Sequence, residues 1–221
     1  MRSDFPALTS QRLVFQIYGL FVFLVFSLVL AGSVRAAERP ADFVQRLGDQ
    51  ATRVVSDATL LRSERRAALS QMLEDYFDLD LISRAVLGRH WRNATPEQRR
   101  SYRGVFKAYV LATYGRRLEG YAGETLEVGR ARDEGRKGML VSSRLHRPQG
   151  SPIAVAWRLR PDNGSWRVYD MVVEGVSMIM THRGEFDAVI RQSGSLEGLL
   201  EKLQTMTARM EGPTAVQASR L

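Results

Sequence analysis

The sequence predicts an α+β fold, a four-stranded antiparallel sheet covered by helices and enclosing an apolar cavity. Three observations predict it. Apolar residues recur at helical spacing between Pro40 and Glu119, and again from Ser177 to Met210. Between these stretches, from Thr125 to Gly175, they alternate with polar residues at period two. Helices first, strands together and helices last is the order expected when helices gather on one face of an antiparallel sheet.

The chain opens on a leader. Arg2 and Arg12 give it a basic start, and the run LVFQIYGLFVFLVFSLVLAG from Leu13 to Gly32 carries no charge. Val34-Arg35-Ala36 then places small residues where a leader peptidase reads. This is the order of a secretory signal peptide, residues 1–36, with cleavage after Ala36. The apolar run is long enough to be read alternatively as an uncleaved anchor, at about 20 residues. Either reading puts the remaining chain, an α+β domain over residues 37–210, outside the cytoplasm.

The first helix spans Pro40 to Asp57, with Phe43, Leu47, Ala51, Val54 and Val55 on one face. A second covers Ser63 to Phe77 with Ser63 as its cap, and a short third covers Asp80 to Leu87 and stops at Gly88. Thr95-Pro96-Glu97-Gln98 is the strongest local signal. Thr95 caps, Pro96 suits the first helical position and Gln98 completes a capping box. The helix it starts runs to about Glu119, with Tyr102, Phe106, Tyr109, Val110 and Thr113 on one side.

Four strands follow. Thr125 to Ala131 leads through Arg132-Asp133-Glu134-Gly135 to the alternating Met139, Val141, Ser143 and Leu145. Ile153, Val155, Trp157 and Leu159 alternate with Ala154, Ala156, Arg158 and Arg160. Asn163-Gly164 is a type I′ hairpin signal, and Trp166 to Val173 returns. Several strand positions read as apolar on both faces, which requires cover on both sides from helices or from a bound hydrophobe. Two helices, Ser177 to Gln192 and Ser195 to Met210, close the domain. Residues 211–221 read as a disordered tail with little to bury.

Composition narrows the function. The 221 residues carry a formal net charge of +8, and the leader removes only three Arg and one Asp. The basic balance suits attraction to anionic headgroups or acidic partners, or simple solubility. The cations are spread, with no block of interleaved aromatics, so nucleic acid is not an expected partner. There is no cysteine, which excludes disulfides and thiolate metal sites. His90, His146 and His182 lie far apart in sequence, so no metal site is expected. They are read instead as residues at helix ends and on a strand's solvent side. The adjacent carboxylates Glu74-Asp75, Asp78-Asp80 and Asp133-Glu134 read as solvated faces and turns. No nucleophile elbow, P-loop or dinucleotide fingerprint is present. No catalytic residue and no cofactor is expected, although a lipid hydrolase using Ser177 with His182 is a rival from another class. Ser177 reads more simply as a helix cap.

Four segments carry a family resemblance. Val86-Leu87-Gly88, His90-Trp91-Arg92 and Ala94-Thr95-Pro96-Glu97-Gln98-Arg99 resemble the LG-x-x-W-R-x-A-T-P-E-Q signature of the MlaC / toluene-tolerance family of periplasmic lipid carriers. Tyr121-Ala122-Gly123-Glu124 is similar to its Y-x-G-E exit from the long helix. Trp166-Arg167-Val168-Tyr169-Asp170 with Val173-Glu174-Gly175-Val176-Ser177 resembles its W-x-V-Y-D-x-x-V-E-G-V-S block, and Arg183-Gly184-Glu185-Phe186 its R-x-E-F helix. The pieces stand in family order over residues 42–203. Met178-Ile179-Met180-Thr181-His182 departs from the usual pattern and is similar to a branch associated with hopanoid biosynthesis.

The resemblance implies a nuclear-transport-factor-like cone and a lipid-binding domain whose phospholipid ligand has its acyl chains buried between sheet and helices and its headgroup left outside. It implies shuttling through the periplasm between an outer-membrane lipoprotein complex and an inner-membrane ABC transporter with its MCE subunit. The hopanoid branch implies a polycyclic lipid instead, and a ligand-free scaffold subunit is a further alternative. The family supplies the idea of a pocket and the strand and helix alternation selects its side. The expected lining is Phe77, Trp91, Phe106, Tyr109, Val141, Val155, Trp157, Met171, Val173, Val176 and Ile179. Arg99, Arg100 and Arg103 face solvent, or else partners and headgroups.

Overall fold

A computed structural model describes residues 38–119 and 123–211. The predicted leader and residues 212–221 of the predicted tail lie outside the described residues. Glu211, assigned to the tail from sequence, is the last residue of a helix.

Helix α1 (Pro40–Ser56) starts on a proline, with Asp42 in the first turn where the helix dipole favours an anion. It buries Phe43, Val44 and Leu47. Helix α2 (Arg62–Tyr76) begins before the predicted cap. The Leu61 N–H donates to the Glu64 carboxylate at 2.8 Å, so Glu64 satisfies this end and Ser63 lies inside the helix. Asp78, read from sequence as a solvated turn residue, is buried. It caps α3 (Leu79–Leu87) by accepting from the Leu81 N–H at 3.0 Å and pairs with Arg160 of the sheet.

Gly88 ends α3 at φ 57° and ψ −123°, a region closed to residues with a Cβ, and the chain turns into the short helix α4 (Arg89–Asn93). Helix α5 (Pro96–Glu119) opens on the expected capping box. The Thr95 N–H donates to Gln98 Oε1 at 2.8 Å, and the Gln98 N–H donates to Thr95 Oγ1 at 3.2 Å.

The sheet has five strands, not four, in the order β1-β2-β3-β4-β5 and antiparallel throughout. They are β1 (Thr125–Asp133), β2 (Met139–His146), β3 (Ile153–Asp162), β4 (Ser165–Val173) and β5 (Val176–Ser177). Asn163 and Gly164 take φ 47° and 80°, as a type I′ hairpin requires. Glu174 and Gly175, at φ 49° and 82°, make a second such turn and fold two residues back onto Val172 and Val173. A strand of two residues has no alternation to read, which is why the sequence hides it.

The two faces of the sheet differ. The inner face carries the rows Val141–Trp157–Met171 and Ser143–Val155–Val173. On the outer face Ser142, Arg144 and Ala154 are exposed. The expectation of apolar cover on both faces is therefore corrected. The apolar members of the outer face include Ala154, which is exposed, and Ala156 and Val172, which are half-buried, and one face open to water is usual for an antiparallel sheet.

Ser177 caps α6 (Met178–Ser193) by accepting the Met180 N–H at 3.2 Å, and Gly194 closes it in the left-handed conformation at φ 79°. Helix α7 (Leu196–Glu211) follows. Two hydrophobic cores result. One is helical, built on Val86, Tyr102, Phe106, Phe186, Leu199 and Leu203. The other joins Phe43, Val44, Leu47, Leu69 and Met72 of α1 and α2 to Val141, Val155, Trp157 and Leu159 of the sheet. Among the described residues no helix is long and apolar enough to cross a membrane.

Candidate ligand cavity

The two cores do not close on each other completely. A cavity of about 390 Å³ lies along their seam, lined by Leu47, Leu69 and Met72 from the sheet-side core and by Val86, Phe106 and Val110 from the helical side. A second lobe of about 230 Å³ extends over β1, β2 and β3. Gly48, Ala51, Trp157, Met171 and Val173 line both lobes, so the two adjoin along α1 and the inner face of the sheet. Gly48 brings α1 close to the sheet, since a Cβ there would stand 2.7 Å from Leu126.

Seven residues expected in the lining are brought together here. Phe77, Phe106 and Ile179 line the larger lobe, Val155 the smaller, and Trp157, Met171 and Val173 both. The other four lie elsewhere. Trp91 packs against the helical core beneath the guanidinium groups of Arg84, Arg99 and Arg103, whose centres stand 5.8, 5.4 and 5.0 Å from its ring. Arg99 also donates to the carbonyls of Trp91 and Arg92, and Arg100 pairs with Glu97. Tyr109 is buried among aromatic rings, 6.4 Å from His182 and 6.1 Å from Phe186. Val141 shares a row with Trp157 but is fully enclosed in the sheet-side core. Val176 sits on the edge strand β5 and is 53% exposed. Position in a motif or on a face selected these four, whereas distance between layers decides which residues line a void.

The part of the wall contributed by α1, α2 and α3 was not anticipated. Leu47 and Ala51, Leu69, Met72 and Leu73, and Ile82 and Val86 line the cavity at i, i+3 and i+4 spacing. That spacing marks a buried face without saying whether the face meets a void.

Polar groups in the larger lobe are satisfied internally. The Asp170 carboxylate accepts from the Ser177 hydroxyl at 2.6 Å, the Ile179 N–H at 3.1 Å and Arg158 at 2.8 Å. Tyr169 donates to the Lys137 carbonyl at 2.6 Å, and burial pushes its phenol pKa up. His182, read from sequence as a bland helix-end residue, lies inside α6 and lines the lobe. Its Nε2 is 2.9 Å from the Tyr114 hydroxyl and its Nδ1 is 2.9 Å from the Glu185 carboxylate. Both ring nitrogens are engaged away from Ser177, whose hydroxyl is committed to Asp170 and to the cap. This geometry does not assemble a Ser177–His182 nucleophile and base. His146, at the end of β2, pairs with Glu127, and His90 with Asp187.

The fold and cavity define an α+β binding protein with an internal apolar compartment. The chain belongs to the MlaC protein family, whose profile matches residues 45–205. It is similar to the toluene tolerance protein ttg2D of Pseudomonas putida, 26% identical over 175 residues, covering 75% of this chain and 80% of that one. It is also similar to the intermembrane phospholipid transport system binding protein MlaC of Haemophilus influenzae, 24% identical over 144 residues, 63% of this chain and 66% of that one. Among solved structures it resembles a phospholipid-binding protein from Ralstonia solanacearum in complex with a phospholipid. The TM-score is 0.68 at 23% identity, covering 79% of this chain and all of that one. At that identity the likeness speaks for the fold.

Proposed function

We propose that this protein is a periplasmic lipid carrier that holds phospholipid acyl chains in the seam cavity and shuttles lipid between the outer and inner membranes. The observation that carries the reading is the two-lobed apolar void between two otherwise well-packed cores. Protein interiors rarely leave such space. Its volume falls in the range of ligand sites, about 300–1,000 Å³. Each methylene moved from water into it contributes about 0.8 kcal/mol, so a fatty chain is held without polar contacts. Phe77, Phe106, Val155, Trp157, Met171, Val173 and Ile179 are the lipid-contacting residues of this proposal. Met72, Met171 and Met178 give the wall unbranched side chains that adapt to varied chains.

The same reading supplies the partners. A carrier that seals its lipid needs a donor and an acceptor that open it or compete for its ligand. These are an outer-membrane lipoprotein complex and an inner-membrane ABC transporter with its MCE subunit. The description of the Haemophilus influenzae relative as part of an intermembrane phospholipid transport system supports that assignment. No chemical step is required of the protein.

Native mass spectrometry of the purified protein, followed by extraction and lipid identification, tests the proposal. A stoichiometric phospholipid adduct is expected. A polycyclic triterpenoid adduct transfers the reading to the hopanoid branch, where Met178, Ile179 and His182 of the atypical segment line the larger lobe. A bare protein mass that lipid vesicles do not change contradicts carriage and favours the scaffold alternative.

A further inference from the structure

The two lobes meet along α1. Leu47 lines the larger lobe only, Gly48 and Ala51 line both, and Thr52, Val55 and Ser56 line the smaller one only. The helix thus runs from one lobe into the other. At about 1.5 Å per residue, its stretch from Leu47 to Ser56 is about 13 Å long. The facing wall does the same, since Trp157, Met171 and Val173 of the sheet line both lobes. Beyond the junction the smaller lobe is lined mostly by apolar residues, among them Val55, Leu126, Leu145, Ile153 and Val155. Such a wall suits methylenes. Gly48 fixes the height of the helix at the junction. A Cβ on it would stand 2.7 Å from Leu126, so its absence lets α1 seat close against β1. With the helix seated, the gap between α1 and the sheet is set by the residue three positions on, which shares the face of Gly48. That residue is Ala51, and its methyl is the only α1 side chain lining both lobes.

We propose that Ala51 sets the length of acyl chain this carrier accepts. A tail too long for the larger lobe crosses the Ala51 methyl into the smaller one, so that both volumes, about 390 and 230 Å³, serve one ligand. The inference rests on the carrier reading and adds a length selectivity to it. A short tail is housed in the larger lobe alone and does not meet the junction. A larger side chain at position 51 closes the junction, and the end of a long tail then stays in water. Each methylene left there costs about fourfold in affinity. A methylene that reaches the apolar wall costs little relative to a bilayer, because it exchanges one apolar surrounding for another.

The test is a competition between chain lengths under one headgroup. Purified protein stripped of lipid is incubated with vesicles holding equal amounts of dilauroyl, dimyristoleoyl, dipalmitoleoyl and dioleoyl phosphatidylglycerol. The captured lipids are then identified by mass spectrometry. Each step of this series adds two carbons to each chain. The wild-type chain is expected to capture all four to within about fourfold, the worth of one methylene. In Ala51→Leu the ratio of dilauroyl to dioleoyl captured is expected to rise by roughly tenfold or more, since two carbons of one tail left in water already cost about fifteenfold. Ala51→Ser keeps a small side chain and is expected to retain the wild-type profile. An Ala51→Leu profile equal to the wild-type one overturns the gauge, and so does an equal loss of every length. A wild-type chain that itself favours dilauroyl over dioleoyl by roughly tenfold overturns it without any variant, because the smaller lobe then holds no tail. Capture of no lipid of any length by the wild-type chain overturns the carrier reading itself, so the two failures are distinguishable.

Discussion

The Trp157 indole N–H donates to the Ser143 hydroxyl at 2.9 Å, and that hydroxyl donates onward to the Val155 carbonyl at 2.9 Å. Trp157 and Ser143 are both buried, and Trp157 lines both lobes of the cavity. The relay lets the largest side chain of the sheet wall present its ring to the void with its one donor satisfied. Replacing Ser143 with Ala strands that donor. A loss of about 1–2 kcal/mol is expected in urea denaturation. Unchanged stability would show that the relay does not fix the ring.

Asp170 ties three elements together. It holds Arg158 of β3, the Ser177 hydroxyl of β5 and the Ile179 N–H in the first turn of α6, from a side chain 4% exposed. Asp170→Asn keeps the shape but removes the charge that balances Arg158. A destabilisation of about 2–3 kcal/mol is expected, near the range for breaking a buried pair because Arg158 is partly solvated. A loss below about 0.5 kcal/mol, the noise of surface substitutions, contradicts the anchoring role.

Filling the seam separates binding from stability. Ala51 projects from α1 into both lobes. Ala51→Trp is expected to lower copurifying lipid at least tenfold while the unfolding midpoint of the lipid-free protein holds or rises, because filling a void commonly adds about 0.5–2 kcal/mol. Full lipid retention in this variant contradicts the placement of the ligand.

Acid should weaken the join between the start of the domain and β4. The Arg46 guanidinium, with help from the Ser165 hydroxyl, holds the Glu38 carboxyl below its ordinary value of 4.5, against a smaller opposing effect of burial. The fold thus favours the ionised form. Its contribution is complete above 4.5 and is lost as pH falls through the lowered value. Glu38→Gln should therefore be less stable than the wild-type chain at pH 7, by about 1 kcal/mol. The difference should shrink towards zero well below pH 4.5. Asp187, lowered chiefly by its hydrogen bond with His90, adds to the same acid loss. Urea midpoints measured between pH 7 and pH 3 check this, and a difference that grows in acid reverses the sign of the argument.

Much of this architecture is legible in the residues, for reasons that also set the limit. Thr95 and Gln98 announce a helix start because a capping box is local chemistry, and Asn163-Gly164 announces a hairpin because both residues accept positive φ. The alternation of Val155 and Trp157 gives the inner face of the sheet, and both line the cavity. Val141 obeys the same alternation and lies in solid core, because a void is set by the spacing between layers. Trp91 belongs to the recognisable motif but is spent on a nest of arginines. Asp170 offered a signal, a carboxylate within an apolar strand, although its partners come from β3 and α6 and follow no local rule.

In the proposed carrier an apolar ligand lies against Trp157 between the sheet and the helices. A chain in which Trp91 and Trp166 are replaced by Phe reports from that residue alone. Incubated with vesicles of phospholipid brominated along its acyl chains and then separated from them, it should show Trp157 emission strongly quenched relative to the same chain loaded with unbrominated lipid. Equal emission from the two preparations, with both lipids present at stoichiometric amounts, would place the ligand elsewhere and contradict the account.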